Sequence, residues 1–278
     1  MLDAEAVDRR MAELSERIGA PLAVGPDEPL YTGVDLGTAY IVVVVVDSRS
    51  RPVACELEFA QVVRDGLVVD YAGATAIVAR LVRRIEEGLG RSLHLAAIAV
   101  PPGTGVRECA THRHVVEAAG LEVTAILDEP TAANAVLGVE NGAIVDIGGG
   151  TTGLSVLRDG KVVYVADEPT GGTHVSLVLA GAYGIGFEEA EAIKKDYARH
   201  AEIFPVVRPV IEKMATIINR HIEGRNVSDI YLVGGTCCLT GMEAVIARLT
   251  GKAVHKPSNP LLVTPLGIAL DCGDGEQA

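Results

Sequence analysis

Val145-Asp146-Ile147-Gly148-Gly149-Gly150-Thr151 is the stretch on which the reading of this chain turns. Ala143–Ile147 is an apolar run that reads as a strand, and Thr152–Leu157 reads as the next one. Between them lie an acid and three glycines. Consecutive glycines are costly in chain entropy, and a plain hairpin does not require three. Their bare backbone lets N–H groups approach an anion. The same pattern stands earlier as Val34-Asp35-Leu36-Gly37-Thr38, before the β-branched strand Ile41–Val46. Thr38 adds a hydroxyl donor there. In each turn the carboxylate, Asp35 or Asp146, sits where a hydrated Mg2+ could bridge it to phosphate oxygens. Two such turns suit a nucleoside triphosphate better than a smaller ligand. No G-x-x-x-x-G-K-[ST] loop occurs, and Gly148-Gly149-Gly150 runs into a strand rather than a helix, which excludes the dinucleotide fingerprint.

Two further segments carry chemistry. Leu232-Val233-Gly234-Gly235-Thr236 ends a strand in two glycines. It reads either as a structural turn or as bare backbone against which a flat ring can lie. Glu129, in Asp128-Glu129-Pro130-Thr131, stands at a strand-to-helix junction just before a proline suited to a first helical turn. It reads either as a helix cap or as a carboxylate that orients water for attack on a γ-phosphate.

Around these segments, strands alternate with helices, so the class is α/β. Helices are expected over 73–89, up to Ala119, from Thr131, near 173–181, over Glu188–Arg199, over Pro205–Ile222, over 241–250 and over Thr264–Leu270. The restart of the pattern at Ala143 predicts two similar lobes. Residues 1–30 form an amphipathic helix and linker, 31–142 lobe I, 143–257 lobe II, and 258–278 a return to lobe I with a tail. The helix, expected over Asp3–Ile18 with Val7, Met11, Leu14 and Ile18 as its stripe, either caps the body or docks on a partner.

Composition excludes several classes. The 278 residues suit about two domains. A net charge of −13 repels a nucleic-acid backbone and anionic membranes. No run of about 18 apolar residues occurs, so no spanning helix is expected. Five cysteines without a C-x-x-C pair, and acids where a cationic leader would begin, predict a cytoplasmic chain with reduced thiols.

In chain order the four segments resemble the phosphate 1, connect 1, phosphate 2 and adenosine motifs of the actin/Hsp70/hexokinase superfamily. Residues 31–270 are covered by that likeness. "GVDLGTAYIVVVVVD", "AAGLEVTAILDEPTAANAV", "VDIGGGTTGLSVLRDGKVVYVADEPTGGTHVSLVLAG" and "RPVIEKMATIINRHIEG" resemble more closely the EutJ family of ethanolamine utilisation. The resemblance implies a two-lobed actin/Hsp70-like fold of duplicated ribonuclease-H-like domains, with minimal subdomain insertions and Mg-ATP between the lobes. It implies that Asp35 and Asp146 hold hydrated Mg2+. Gly37, Thr38, Ala39 and Tyr40 would contact the phosphates from lobe I, and Gly148, Gly149, Gly150 and Thr151 from lobe II. Glu129 would orient water, with Asp146 as its catalytic companion. Gly234, Gly235 and Thr236 would line the adenosine, and Glu191 and Lys194 would contact adenine or ribose.

The chain also departs from the chaperone pattern. Only Phe59 to Tyr71 stands where chaperones insert a subdomain, so the lysine that subdomain brings to the γ-phosphate has no counterpart. Gly153 replaces an acid found in many Hsp70 relatives. These losses predict at most a weak Mg-dependent ATPase. The family implies chaperone-like work in assembly, protection or reactivation of ethanolamine ammonia-lyase, beside the bacterial microcompartment and its shell proteins. A nucleotide-binding scaffold of the bacterial actin type and a small-molecule kinase of the same superfamily are the alternatives.

Overall fold

The computed structural model describes residues 4–64 and 66–274. Asp3, the expected start of the first helix, residues 275–278 of the C-terminal tail, and Asp65 of the expected Asp65-Gly66 turn lie outside the described residues. The first helix ends at Ser15, short of the expected Ile18. The chain forms two compact units, residues 1–138 with 257–278, and residues 139–256.

Unit 1 opens with helix α1 (Ala4–Ser15), followed by strands β1 (Leu30–Leu36), β2 (Tyr40–Asp47) and β3 (Pro52–Phe59). A small hairpin of β4 (Val63–Arg64) and β5 (Leu67–Val68) leads to α2 (Tyr71–Leu89). Then come β6 (Leu95–Val100), α3 (Val106–Ala118), β7 (Glu122–Asp128) and α4 (Glu129–Leu137). The sheet order is β3-β2-β1-β6-β7. β1, β2 and β3 pair antiparallel, and β1–β6 and β6–β7 pair parallel. The β-branched run from Ile41 to Val46 is buried on both faces, which suits the middle of a covered sheet.

Unit 2 repeats the scheme with β8 (Gly142–Ile147), β9 (Thr152–Arg158), β10 (Lys161–Glu168), α5 (Gly172–Tyr183), α6 (Phe187–Lys195), α7 (His200–Ile222), β11 (Asp229–Val233), α8 (Met242–Thr250) and β12 (Ala253–His255). Its sheet order, β10-β9-β8-β11-β12, has the same mixture of antiparallel and parallel pairs. The final helix α9 (Val263–Asp274) belongs to unit 1, where it packs on β1 and α4.

Two close approaches fix that packing. A Cβ on Gly33 would lie 2.4 Å from Ala269 N, and one on Gly267 would lie 1.7 Å from Ala132 O. Glycine is therefore required where α9 meets β1 and α4.

The expected helices over Glu188–Arg199 and Pro205–Ile222 differ from what forms. Glu188–Arg199 is not one helix: α6 stops at Lys195, and Asp196 takes extended backbone and caps a short turn by accepting from Ala198 N. The long helix begins at His200 rather than Pro205. Both Pro205 and Pro209 lie on its exposed side, where the carbonyls they leave without a helical N–H stay accessible to water.

The stripe of α1 is spent on the body. Val7, Met11 and Leu14 are buried, and the helix packs against β3. Asp8 Oδ1 accepts from Ser258 N at 2.7 Å, and Asn259 Nδ2 donates to Ser15 Oγ at 3.0 Å. Ile18 remains exposed. The geometry thus favours the capping reading over docking.

Candidate functional site

In unit 1, Asp35 stands near the end of β1, opposite Val42. The turn that follows is tight, since a Cβ on Gly37 would meet Tyr40 O at 2.8 Å. Thr38 and Ala39 complete it, and Ala39 O accepts from Ala60 N at 3.1 Å. Tyr40 packs edge-on against Phe59, ring centroids 5.7 Å apart. At the start of α4 the cap is Asp128: Oδ1 accepts from Thr131 N at 2.9 Å and Oδ2 from Thr131 Oγ1 at 2.8 Å. The cap reading of Glu129 is thereby overturned. Glu129 is the first helical residue, with Pro130 beside it in the first turn.

In unit 2 the three-glycine turn is held from its carbonyl side. Gly148 N donates to Thr151 O at 3.1 Å. Gly172 N donates to Gly148 O at 2.9 Å, and Thr173 N to Gly149 O at 2.8 Å. Thr236 Oγ1 also donates to Gly148 O, at 2.7 Å. The start of α5 therefore occupies the carbonyls. Among the described residues, no backbone acceptor takes the N–H groups of Gly149 and Gly150. The surroundings admit only glycine. A Cβ on Gly171 would meet Gly149 O at 2.7 Å, and one on Gly172 would meet Thr236 Oγ1 at 2.4 Å. Gly234 has φ +90°, and its Cβ would lie 2.2 Å from Asp146 Oδ1. Asp146 itself pairs across the sheet with Gly153 and Val233. Gly235 and Thr236 follow in a short 3-10 turn that ends at Cys238.

Glu191 and Lys194 join the same cluster. Glu191 is buried, and its Oε1 accepts from both Ser176 Oγ and Lys194 Nζ. Lys194 Nζ also donates to Gly172 O at 3.1 Å. Glu191 Oε2 is buried with no hydrogen bond, and Lys195 Nζ lies 3.4 Å from it. Burial alone would raise the Glu191 carboxyl. The Lys194 charge and hydrogen bond, then Ser176, outweigh it and hold the group below the usual carboxylate range. Burial pushes the Lys194 ammonium down, against the pull of Glu191.

Sequence reasoning missed several members of the site. Gly171, Gly172 and Ser176 carried no recognised spacing. His200 is buried, with Thr240 N donating to its Nδ1 at 3.0 Å. Its Nε2 therefore carries the hydrogen and donates to Lys194 O at 3.0 Å. It ties α6 to the loop after Cys238, and nothing local distinguishes it from the other histidines. Asp167 is paired across the strands with Gly153, and its Oδ1 would lie 3.7 Å from a Cβ placed there. A neighbouring strand thus supplies a carboxylate where position 153 has none.

The cysteines are free, and burial pushes the thiols of Cys55 (to about 12) and Cys237 up. Cys238 is half-buried. Among the described residues no group of three His, Cys, Asp or Glu could hold a metal by itself, and no helix is long and apolar enough to cross a membrane. Asp146, near the end of β8 and against Gly234, is the kind of carboxylate that a hydrated Mg2+ takes, since that ion is commonly bound through one or two carboxylates plus phosphate oxygens.

The comparisons bear on the family and the fold. The model for type IV pilus assembly protein PilM matches residues 110–261. The chain is 50% identical over 244 residues to the ethanolamine utilization protein EutJ of Salmonella typhimurium, covering 87% of this chain and 86% of that one. It is 25% identical to a chaperone protein HscA homolog of Vibrio vulnificus, over 68% of this chain and 38% of the chaperone. The crystal structure of EutJ from Carboxydothermus hydrogenoformans superposes with a TM-score of 0.91 at 52% identity, covering 96% of this chain and 98% of that one. A PilM-PilN type IV pilus biogenesis complex shares the fold alone, with a TM-score of 0.72 at 15% identity over 90% and 99% of the two chains. The fold is thus the actin/Hsp70-like one, built from two repeated α/β units, and the chain belongs to the EutJ family of ethanolamine utilization proteins, inside the wider group that the PilM model describes.

Proposed function

We propose that this chain binds Mg-ATP and uses it in chaperone-like work for ethanolamine utilization. The observation that carries the reading is the glycine cradle of unit 2. Its carbonyls are taken by the start of α5 and by Thr236, and its N–H groups at Gly149 and Gly150 are left for an anion. In this reading Gly148, Gly149, Gly150 and Thr151 hold phosphate oxygens. Gly37, Thr38, Ala39 and Tyr40 contribute the contacts of the first turn. Gly234, Gly235 and Thr236 lie along the nucleoside, and Glu191 and Lys194 contact its base or ribose. Asp35 and Asp146 hold Mg2+ through water, and the ion, when bound, offsets charge on the phosphates. Glu129, released from capping by Asp128, orients the attacking water. Turnover is slow, because no lysine from an inserted subdomain reaches the γ-phosphate.

The client in this reading is ethanolamine ammonia-lyase or another protein of the microcompartment, met in the cytoplasm. The 50% identity to a named EutJ supports the pathway, and the HscA likeness supports the chaperone class. Titration calorimetry tests the nucleotide. Replacing both Asp35 and Asp146 by Ala weakens Mg-ATP binding roughly tenfold or more, about 1.4 kcal/mol. Equal affinity in the double variant refutes the metal assignment. For the client, Mg-ATP with this chain restores activity to partly inactivated ethanolamine ammonia-lyase. Failure with every lyase preparation, alongside intact ATP binding, refutes the chaperone role alone.

A further inference from the structure

Helices α7 and α8 of unit 2 enclose a surface groove of about 570 Å³. Positions 201, 204, 205 and 208 on α7 face it, as do 244, 245 and 248 on α8 and Gly241 just before that helix. The α7 set recurs at i, i+3, i+4 and i+7, the spacing of one helix face. The floor is apolar: Phe204, Pro205, Ala244 and Val245. At one end stand Arg208 and Arg248. Arg208 Nε donates to Glu212 Oε1 at 2.9 Å, and Arg248 donates to that same oxygen at 3.1 Å. Two guanidinium groups therefore share one carboxylate, and each keeps further N–H donors. The nearby acids Glu202 and Glu243 are already paired, with Arg199 and Lys256. The groove end is thus cationic on a chain whose net charge is −13.

Pro205 and Pro209 add a third feature. Neither has an N–H, so the α-helical bonds to Ala201 O and Pro205 O are missing. This helix holds two such prolines one turn apart. The result is an apolar trough with backbone acceptors on its α7 wall and surplus guanidinium donors at one end.

We propose that this groove docks a short extended peptide of a partner protein, with apolar side chains alternating with acidic ones. Alternation puts the apolar set on Phe204 and Val245. It turns backbone N–H groups toward Ala201 O and Pro205 O, and it brings carboxylates to Arg208 and Arg248. His200 and Thr240, which tie α6 beside Lys194 to the loop after Cys238, also line the groove.

The test uses the full chain and two fluorescein-labelled peptides of alternating Leu with Glu and of alternating Leu with Lys. Fluorescence anisotropy detects binding of the Leu/Glu peptide. Arg208→Ala with Arg248→Ala weakens it at least tenfold. Ala244→Glu, at an exposed position inside the groove, abolishes it while the melting temperature stays as in the parent. Added salt weakens it, as screening of exposed pairs requires. Equal binding of the Leu/Lys peptide, no binding of the Leu/Glu peptide, or binding unchanged by Ala244→Glu overturns the proposal. So does an apolar dye that fills the groove and is not displaced by the Leu/Glu peptide.

Discussion

The turn after β1 and the turn after β8 share an acid followed by glycine, yet they are supported in different ways. In unit 1 the support is a helix. α9 presses on β1 through Gly33 and on α4 through Gly267, so the strand bearing Asp35 and the helix bearing Glu129 are both packed against one element. In unit 2 the support is backbone meeting backbone, with α5 bonded to Gly148 O and Gly149 O and Gly234 against Asp146. Beneath that lies a buried ion pair, Glu191 with Lys194, tied to Gly172 O. A shared motif therefore does not imply a shared structural weakness. Unit 1 is exposed to changes in packing distance, and unit 2 to changes in buried charge.

The largest effect expected from this contrast is on the buried pair. Glu191→Ala leaves Lys194 buried without its carboxylate. Removing one partner of a buried pair typically costs about 3–5 kcal/mol. Lys194 can respond by losing its proton, so the cost depends on pH. With its folded pKa pushed down by burial, the penalty is fully present below that folded pKa. It is relieved as pH rises toward the unfolded lysine value of about 10.4. Urea unfolding of the variant should recover toward the parent as pH rises toward about pH 10. Hydrogen exchange should place the loss in α5 and α6, with α4 and α9 unaffected. A loss independent of pH would mean that the lost packing of Glu191, not the stranded charge, sets the cost.

Gly267→Ala is the counterpart in unit 1. Its Cβ would fall 1.7 Å from Ala132 O, a backbone atom that moves only with its helix. Overpacking typically costs 1–3 kcal/mol, and a backbone collision belongs at the upper end, about 3 kcal/mol. Faster exchange should appear in α4 and α9 while α5 and α6 keep their protection. Loosening of both units together would break the contrast. Normal stability would show that α9 can shift without cost.

Much of this was legible in the sequence. β-branched runs such as Ile41–Val46 and the acid–glycine turns mark strands and their ends by local chemistry. What escaped depends on partners far along the chain. His200 meets Thr240 across 40 residues, and Ser176 meets Glu191 across 15. Asp167 reaches the space beside Gly153 only because β9 and β10 pair in that register. A carboxylate added at Gly153 would therefore crowd Asp167. Pro205 misled for a local reason. Proline suits a first turn, but with its side of α7 exposed, the helix tolerates it six residues in and starts at His200.

The smallest effect concerns two adjacent acids at the start of α4, where the unit 1 support meets its chemistry. Asp128 accepts from both Thr131 N and Thr131 Oγ1, so Asp128→Ala removes the cap. Loss of such a cap costs about 1 kcal/mol. Exchange of the Thr131 amide should speed up, and the urea midpoint should fall slightly. Glu129→Gln is the paired control. The amide keeps the shape of the carboxylate and a good helix propensity, so stability should change by less than about 0.5 kcal/mol. It cannot accept a proton, so phosphate release from Mg-ATP should fall while calorimetric affinity holds. The two variants therefore separate capping from chemistry at neighbouring positions. Glu129→Gln speeding the Thr131 amide as Asp128→Ala does would return the cap to Glu129. Equal losses of binding and turnover in Glu129→Gln would make that residue a ligand for the nucleotide rather than a positioner of water.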